Sequence, residues 1–179
     1  MNTPISNAQD LPVQESVKQL WELIHDIRFA MFTTQDAEGL LRSCPMTMQN
    51  KDLAADAQVW FFMGRDSETV ADLKAHSQIN LSFADAGSDR YVSACGSAQV
   101  VEDHAKLIEL WTSAADAWFP DGVEDPNIAL VQVQLTHASF WDINESRLTQ
   151  LFQMARGAVP AKPPQLEETA EVQLGGATR

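Results

Sequence analysis

Two short segments carry residue types that bind anions. LLRSCPMTM places Arg42 near one end and Thr47 near the other, and GRDSET places Arg65, Ser67 and Thr69 where a short apolar run gives way to helical spacing. A helix start offers free backbone N–H groups, and adjacent hydroxyls and arginines make an anion site whose usual occupant is phosphate. The alternative is that Ser67 only caps the helix and that Arg42 and Arg65 are solvated surface charges.

Aromatic residues form a second group of candidates. Tyr91 is the only tyrosine and begins an apolar segment, Trp118 and Phe119 open the loop WFPDGVEDPN, and Trp141 lies late in another apolar run. Aromatic side chains combine a large contact area with few rotamers, so they could line a site for a flat ligand. They could equally pack the core, and the loop could be a turn and nothing more. The spacing leaves both possibilities open.

The remaining reactive residue types give weaker signals. Asp121, Glu124 and Asp125 lie in that loop, but loop carboxylates of an acidic protein are usually solvated, and the sequence fixes no histidine beside them. Cys44 and Cys95 are far apart in apolar contexts without a C-x-x-C pair, which predicts two free buried thiols. The four histidines do not recur at metal-ligand spacing. We therefore predict no catalytic side chain and no metal site.

Length and charge restrict the class of protein. The 179 residues are 45% hydrophobic, which is enough for one core in a single domain. With 12 basic and 25 acidic residues, the formal charge of −13 repels nucleic acid and anionic membranes. No long apolar run and no N-terminal signal sequence are present, so we expect a cytoplasmic protein.

The apolar pattern predicts the elements that must position these residues. Helices are predicted at about residues 14–27, 67–76, 103–119 and 146–157. Strands are predicted at about residues 29–34, 40–49, 59–63, 79–85, 91–103 and 128–143. Six strands with many short turns favour a mainly β (α+β) fold, an antiparallel barrel with peripheral helices.

Two residues and the chain ends qualify this pattern. Pro45 cannot donate a ladder hydrogen bond, which predicts an edge strand or a bulge, and Gly96 predicts a bulge or a close backbone approach. We expect a flexible leader at residues 1–13, one domain at about residues 14–157, and a disordered tail at residues 158–179 that is rich in Pro, Glu, Gln and Gly.

Five segments together resemble a known family. LLRSCPM, VWFFMGRDSETVADL, YVSACGSAQVVED, WFPDGVEDPNIALVQV and SFWD are similar to the general stress protein group of the pyridoxamine 5′-phosphate oxidase-like flavoproteins, over about residues 15–156. The resemblance implies a six-stranded antiparallel split β-barrel that forms a homodimer and binds FMN at the subunit interface. It also implies a small-molecule redox substrate, which the sequence does not identify.

Carried over position by position, the resemblance implies a set of flavin-binding residues. They are Arg42, Ser43, Pro45, Met46, Thr47, Phe62, Met63, Ser67, Thr69, Tyr91 and Trp141. We add Arg65 as a second cation for the phosphate, and Trp118 because its loop could form a wall of the flavin site or of its access path.

The sequence also departs from the true oxidases. They have Arg-Lys after the serine that matches Ser67, where this chain has Glu68 and Thr69, and Thr47 replaces their strand-end lysine. Thr149 replaces their substrate-binding histidine, which argues against pyridoxine phosphate oxidation. Three functions stay open: an FMN-dependent oxidoreductase, a non-catalytic flavin-binding stress protein, and a flavin-free interaction module.

Overall fold

The computed structural model of the chain describes residues 13–53, 56–142 and 169–174. In chain order the helices and strands are α1 Val13–Ile24, β1 Ala30–Gln35, β2 Leu41–Met46, β3 Gln58–Gly64, α2 Glu68–Ala75, β4 Gln78–Asp85, β5 Arg90–Val101, α3 His104–Leu110, β6 Ile128–Asp142 and β7 Thr169–Gln173. The six predicted strands are all present in the described part of the chain. Short 3₁₀ turns lie at Ala115–Ala117 and Gly122–Glu124.

The strands form one curled antiparallel sheet. Its order is β2-β1-β4-β5-β6-β3, and β7 pairs with β6. Beyond the end of β2, Met48 bridges to Phe61 of β3, and the Gln49 N–H donates to the Trp60 carbonyl at 2.9 Å. The two ends of the sheet therefore meet along part of their length, which is the split barrel that the sequence predicted.

Strand β3 separates two hydrophobic clusters because successive side chains of a strand point to opposite faces. Val59, Phe61 and Met63 face the main core, which also receives the buried face of α1. Trp60 and Phe62 face a second cluster beneath α3. Burial on both faces explains why the β3 segment is continuously apolar.

Pro45 and Gly96 occupy the positions that their chemistry predicted. Pro45 lies in β2, the first strand of the sheet order, whose only strand partner within the described part of the chain is β1. The β5–β6 register shifts between Cys95 and Gly96. A Cβ atom at Gly96 would collide with the backbone oxygen of Gln134, so only glycine fits this bulge.

The third helix is shorter than predicted. It ends at Leu110, because Trp111 adopts extended backbone angles (φ −59°, ψ 137°) and turns the chain out of the helix. The Trp111 ring then packs on Phe62 with 5.5 Å between ring centroids. Packing of this aromatic residue in the second cluster thus takes the place of a longer helix.

The C-terminal part also differs from expectation. Thr169–Gln173, within the segment expected to be disordered, form β7 in register with residues 137–141 of β6. The following Leu174 is 2% exposed and belongs to the main core, which gives this strand an apolar anchor. The helix predicted at residues 146–157 lies outside the described residues, and the domain boundaries stay a prediction.

Candidate functional site

Strand β2 and helix α2 meet at a cluster of charged residues, named here the Arg42 cluster: Thr34, Asp36, Arg42, Glu68 and Asp72. Arg42 donates from Nη1 to Glu68 Oε2 at 3.0 Å and from Nη2 to Asp72 Oδ1 at 2.9 Å. Asp36 Oδ2 lies 3.8 Å from Arg42 Nη2. The Thr34 hydroxyl donates to the other oxygen of Asp72 at 2.8 Å. The guanidinium group of Arg42 therefore donates hydrogen bonds to two carboxylates and lies close to a third.

The carboxylates of this cluster differ in how firmly they are held. The side chain of Asp72 is 6% exposed and that of Asp36 is 13% exposed, whereas that of Glu68 is 83% exposed. The hydrogen bond that Arg42 donates to Asp72, followed by the charges of Asp72, Glu68 and Asp36, raises the pKa of Arg42. Arg42 Nε is buried without a hydrogen-bond partner in the structure. The cluster thus has a fixed inner side and one exposed anionic group.

The start of α2 lies against the same strand. Ser67 is the N-cap, and its Oγ accepts the Val70 N–H at 3.3 Å. Thr69 Oγ1 lies 3.4 Å from Cys44 Sγ on β2. The predicted capping role of Ser67 is confirmed. The structure also brings Arg42, Ser67 and Thr69 to one junction, as an anion site requires.

Arg65 turns away from this junction. Its Nη1 lies 2.7 Å from Glu102 Oε1, and its Nη2 donates to the Ile128 carbonyl at 3.0 Å. The hydrogen bond and charge of Arg65 lower the pKa of Glu102, and those of Glu102 raise the pKa of Arg65. Arg65 lines a polar pocket of ≈ 250 Å³ at the β5, α3 and β6 ends. The two arginines predicted to neutralise one phosphate therefore have different partners.

The acidic loop at residues 118–127 holds the junction between β3 and α2. The Asn127 carbonyl accepts the Arg65 N–H at 2.6 Å, and Asn127 Oδ1 accepts the Asp66 N–H at 3.2 Å. Asp125 Oδ1 accepts the Asn127 N–H at 2.9 Å and shapes the turn. Phe119 is buried in the second cluster. This loop thus positions the segment that precedes α2.

Four predicted residues lie on the face of the sheet opposite the main core, named here the outer sheet face. Residues directly opposite in antiparallel strands project to the same side. Tyr91 of β5 pairs with Trp141 of β6, and Pro45 of β2 pairs with Met31 of β1. Ser43 Oγ lies 2.7 Å from Thr33 Oγ1 on the same side.

Exposed apolar side chains also lie on this face. Met31 is 41% exposed, Leu41 is 68% exposed and Trp141 is 36% exposed. Large apolar side chains left in contact with water on one face indicate a surface for a ligand or for a second chain.

The other predicted residues are dispersed. Phe62 and Met63 are buried, at 8% and 1% exposure, and Met46 packs against the main core. Thr47 is exposed beyond the end of β2. Trp118 is 81% exposed on the loop. Among the described residues, no hydrogen bond joins these five residues to the Arg42 cluster.

Sequence reasoning missed Asp72 and Asn127. Glu68 and Asp72 are four residues apart, so they share one face of α2, and that spacing was a usable signal for a cationic partner on a neighbouring strand. No local signal in the sequence indicates that Asn127 binds the Arg65–Asp66 backbone.

Both cysteines are free, but Cys95 is exposed, because it projects from the outer sheet face rather than into the core; the prediction of a buried thiol was wrong there. Within residues 13–53, 56–142 and 169–174, no group of three or more His, Cys, Asp or Glu could hold a metal ion. Among the same residues, no helix has the length and apolarity that a membrane span needs.

Comparison with known proteins identifies the family. The family model described as pyridoxamine 5′-phosphate oxidase like matches residues 15–165. The chain belongs to this family.

Individual relatives agree with that assignment. The general stress FMN/FAD binding protein of Xanthomonas citri is 28% identical, with 74% of this chain and 92% of that chain covered and a TM-score of 0.61. A Clostridium acetobutylicum protein related to general stress protein 26 is 19% identical, with 74% of this chain and 92% of that chain covered. Its TM-score of 0.63 shows that the two proteins share a fold. Protein bli-3 of Neurospora crassa is 23% identical over 172 residues, 91% of this chain and 82% of its own length.

Proposed function

We propose that this protein is an FMN-binding flavoprotein of the general stress protein group, acting as a flavin-dependent oxidoreductase in the cytoplasm. The observation that carries the proposal is the β2–α2 junction, where Arg42, Thr69 and the N-terminal end of α2 lie together. A relative of this chain is described as an FMN/FAD binding protein. The proposal concerns the cofactor and the reaction class, and leaves the substrate open.

The residues at the junction fit a phosphate group on one condition. Arg42 supplies a cation, Thr69 supplies a hydroxyl, and the first turn of α2 supplies backbone N–H groups with the positive end of the helix dipole. The condition is that Glu68, the exposed partner of Arg42, moves aside. FMN when bound supplies the redox chemistry, and the protein supplies position and electrostatics.

The outer sheet face supports a homodimer with the flavin at its interface. Ser43 and Pro45 lie on this face of β2, while Arg42, one residue before Ser43, projects to the other side of the strand toward α2. Tyr91 and Trp141 lie on it farther across the sheet. We propose that the apolar part of this face packs against a second copy, and that the polar part faces the flavin.

A flavin-free interaction module is the second candidate. The observation that favours it is that both Arg42 and Arg65 already have carboxylate partners. A non-catalytic flavin carrier is the intermediate case, with the cofactor but no turnover.

Titration of the purified protein with FMN, FAD and riboflavin, followed by flavin absorbance and fluorescence, distinguishes these functions. We expect FMN to bind at micromolar affinity or tighter and NADH or NADPH to bleach the bound flavin. Binding without bleaching would indicate a carrier. If no flavin binds, the proposal is wrong and the interaction module remains.

A matched pair of variants tests the site itself. Arg42→Gln should weaken FMN binding by about tenfold or more, since a charge-assisted hydrogen bond contributes about 1.5–3 kcal/mol. Riboflavin binding should persist in this variant, which shows that the protein is folded. Lys74→Gln removes one positive charge from the last turn of α2 and should leave FMN binding unchanged. Equal effects of the two substitutions would contradict a phosphate site at Arg42.

A further inference from the structure

The geometry points to Glu68 as the residue that sets the preference of this site between phosphorylated and phosphate-free flavins. Its carboxylate holds the position on Arg42 Nη1 that a phosphate would take. The inference rests on the proposed flavin-binding function and adds a specificity determinant to it.

Of the three carboxylates around Arg42, only Glu68 can be displaced at little cost. Asp72 is buried and accepts both the Arg42 guanidinium and the Thr34 hydroxyl. Asp36 Oδ1 accepts the backbone N–H groups of Glu38 and Leu40, which fixes it in the β1–β2 turn.

Glu68 is held differently from these two. Its side chain is 83% exposed, and its one hydrogen bond among the described residues is to Arg42. Exposed ion pairs are weak, so an incoming anion can compete with it.

The net charge of the Arg42 cluster opposes any anionic ligand that displaces Glu68. Three carboxylates surround one guanidinium, so the site is anionic before any ligand arrives. A flavin phosphate must both displace Glu68 and remain close to its negative charge, because residue 68 stays in the first turn of α2. Riboflavin has no phosphate and meets neither obstacle. Glu68 therefore reduces the difference in affinity between FMN and riboflavin.

Glu68→Gln removes this competing charge while keeping the size of the side chain. We expect the ratio of the riboflavin Kd to the FMN Kd to rise by about tenfold, which corresponds to about 1.4 kcal/mol. Riboflavin binding itself should not change.

The matched control is Glu22→Gln on α1. It produces the same change in net charge on an exposed side chain and should leave the ratio as in the wild type. Glu68→Ala removes the carboxylate without putting the amide of the Gln variant in its place, and it should shift the ratio in the same direction. An unchanged ratio in both Glu68 variants overturns the inference.

A flavin-free measurement separates failure of this inference from failure of the proposed function. The midpoint of thermal unfolding is measured in orthophosphate and in chloride at equal ionic strength. Phosphate should stabilise Glu68→Gln more than the wild type or Glu22→Gln, because a ligand that binds only the folded state raises its stability.

The two measurements together distinguish failure of the proposed function from failure of the inference. If no protein binds any flavin but phosphate still favours Glu68→Gln, the proposed function fails and Glu68 remains the anion determinant. If flavins bind normally and the Kd ratio does not depend on residue 68, the proposed function stands and the inference is wrong.

Discussion

The sequence predicts a single anion site for Arg42 and Arg65, but the two arginines have different structural surroundings. Arg42 has a buried partner, Asp72, whose side chain is 6% exposed. Arg65 has an exposed partner, Glu102, whose side chain is 74% exposed, and donates as well to a backbone carbonyl. Both arginines stand near the start of α2, and the sequence predicted that both would neutralise one phosphate.

The difference shows that an arginine near the start of a helix can either bind a ligand or hold the neighbouring backbone in place. Arg42 offsets the charge of the buried Asp72, while its Nη1 binds the exposed Glu68. An incoming anion can therefore replace Glu68 on Nη1. Arg65 ties β3 to the ends of β5 and β6, and its backbone is held by Asn127. Arg42 therefore combines a structural and a binding role, whereas Arg65 positions the junction.

The largest expected effect separates the buried partner from the exposed one. Asp72→Ala should lower the free energy of unfolding by about 2–4 kcal/mol, because it leaves the Thr34 hydroxyl buried without an acceptor and Arg42 without its buried partner. Urea denaturation measures the loss. Glu102→Ala removes the partner of Arg65 and should cause no loss of comparable size, since Glu102 is exposed. Similar losses in the two variants would remove the distinction between the arginines.

A smaller effect tests how the loop holds the junction. Asn127→Ala should lower the free energy of unfolding by about 0.5–1.5 kcal/mol, because the Asp66 N–H loses its acceptor. Asn127→Asp keeps an acceptor oxygen and should stay close to the wild type in the same urea denaturation. A loss as large in Asn127→Asp would mean that the amide nitrogen, rather than the oxygen, matters.

The smallest effect concerns the pH dependence of the exposed pair. Arg65 holds the pKa of Glu102 below its ordinary value, so in the folded state this carboxylate gives up its proton more readily than in the unfolded state. Its contribution to stability is therefore present above the ordinary glutamate pKa of about 4.3 and is lost as the pH falls through the lowered value.

Comparison of the wild type with Glu102→Gln measures this contribution. Thermal unfolding midpoints should differ slightly near neutral pH and converge in acid, and added salt should reduce the difference near neutral pH. A difference that grows on acidification would contradict the assigned pKa direction.

Local rules predicted much of the fold. Periodicity located the six strands of the curled sheet, and the shapes of single residues predicted the Ser67 cap, the edge position of Pro45 and the bulge at Gly96. These features depend on neighbours in sequence or on the backbone of one residue, so they can be read without the tertiary structure. β7 was missed because the Pro, Glu, Gln and Gly content of residues 158–179 predicted disorder, although Ala170, Val172 and Leu174 alternate with polar residues as in a strand.

The candidate site was less predictable. Arg42, Ser67 and Thr69 do meet at one junction, but Phe62 and Met63 are buried on opposite faces of β3, since adjacent strand residues project to opposite sides. The hydrogen-bond partners of the two arginines lie 26 to 63 residues away in the chain. Sequence spacing does not specify such contacts.

The sequence by itself determined the family, the order of the elements and the residue types available near the start of α2. Only the tertiary structure decided which carboxylate each arginine binds, because it brings Arg42 of β2 to α2 and the loop at residues 118–127 to the β3–α2 junction. Charges act through distance and burial rather than through position in the chain. For that reason Arg42 binds a buried aspartate beside an exposed glutamate, whereas Arg65 binds an exposed glutamate and a backbone carbonyl.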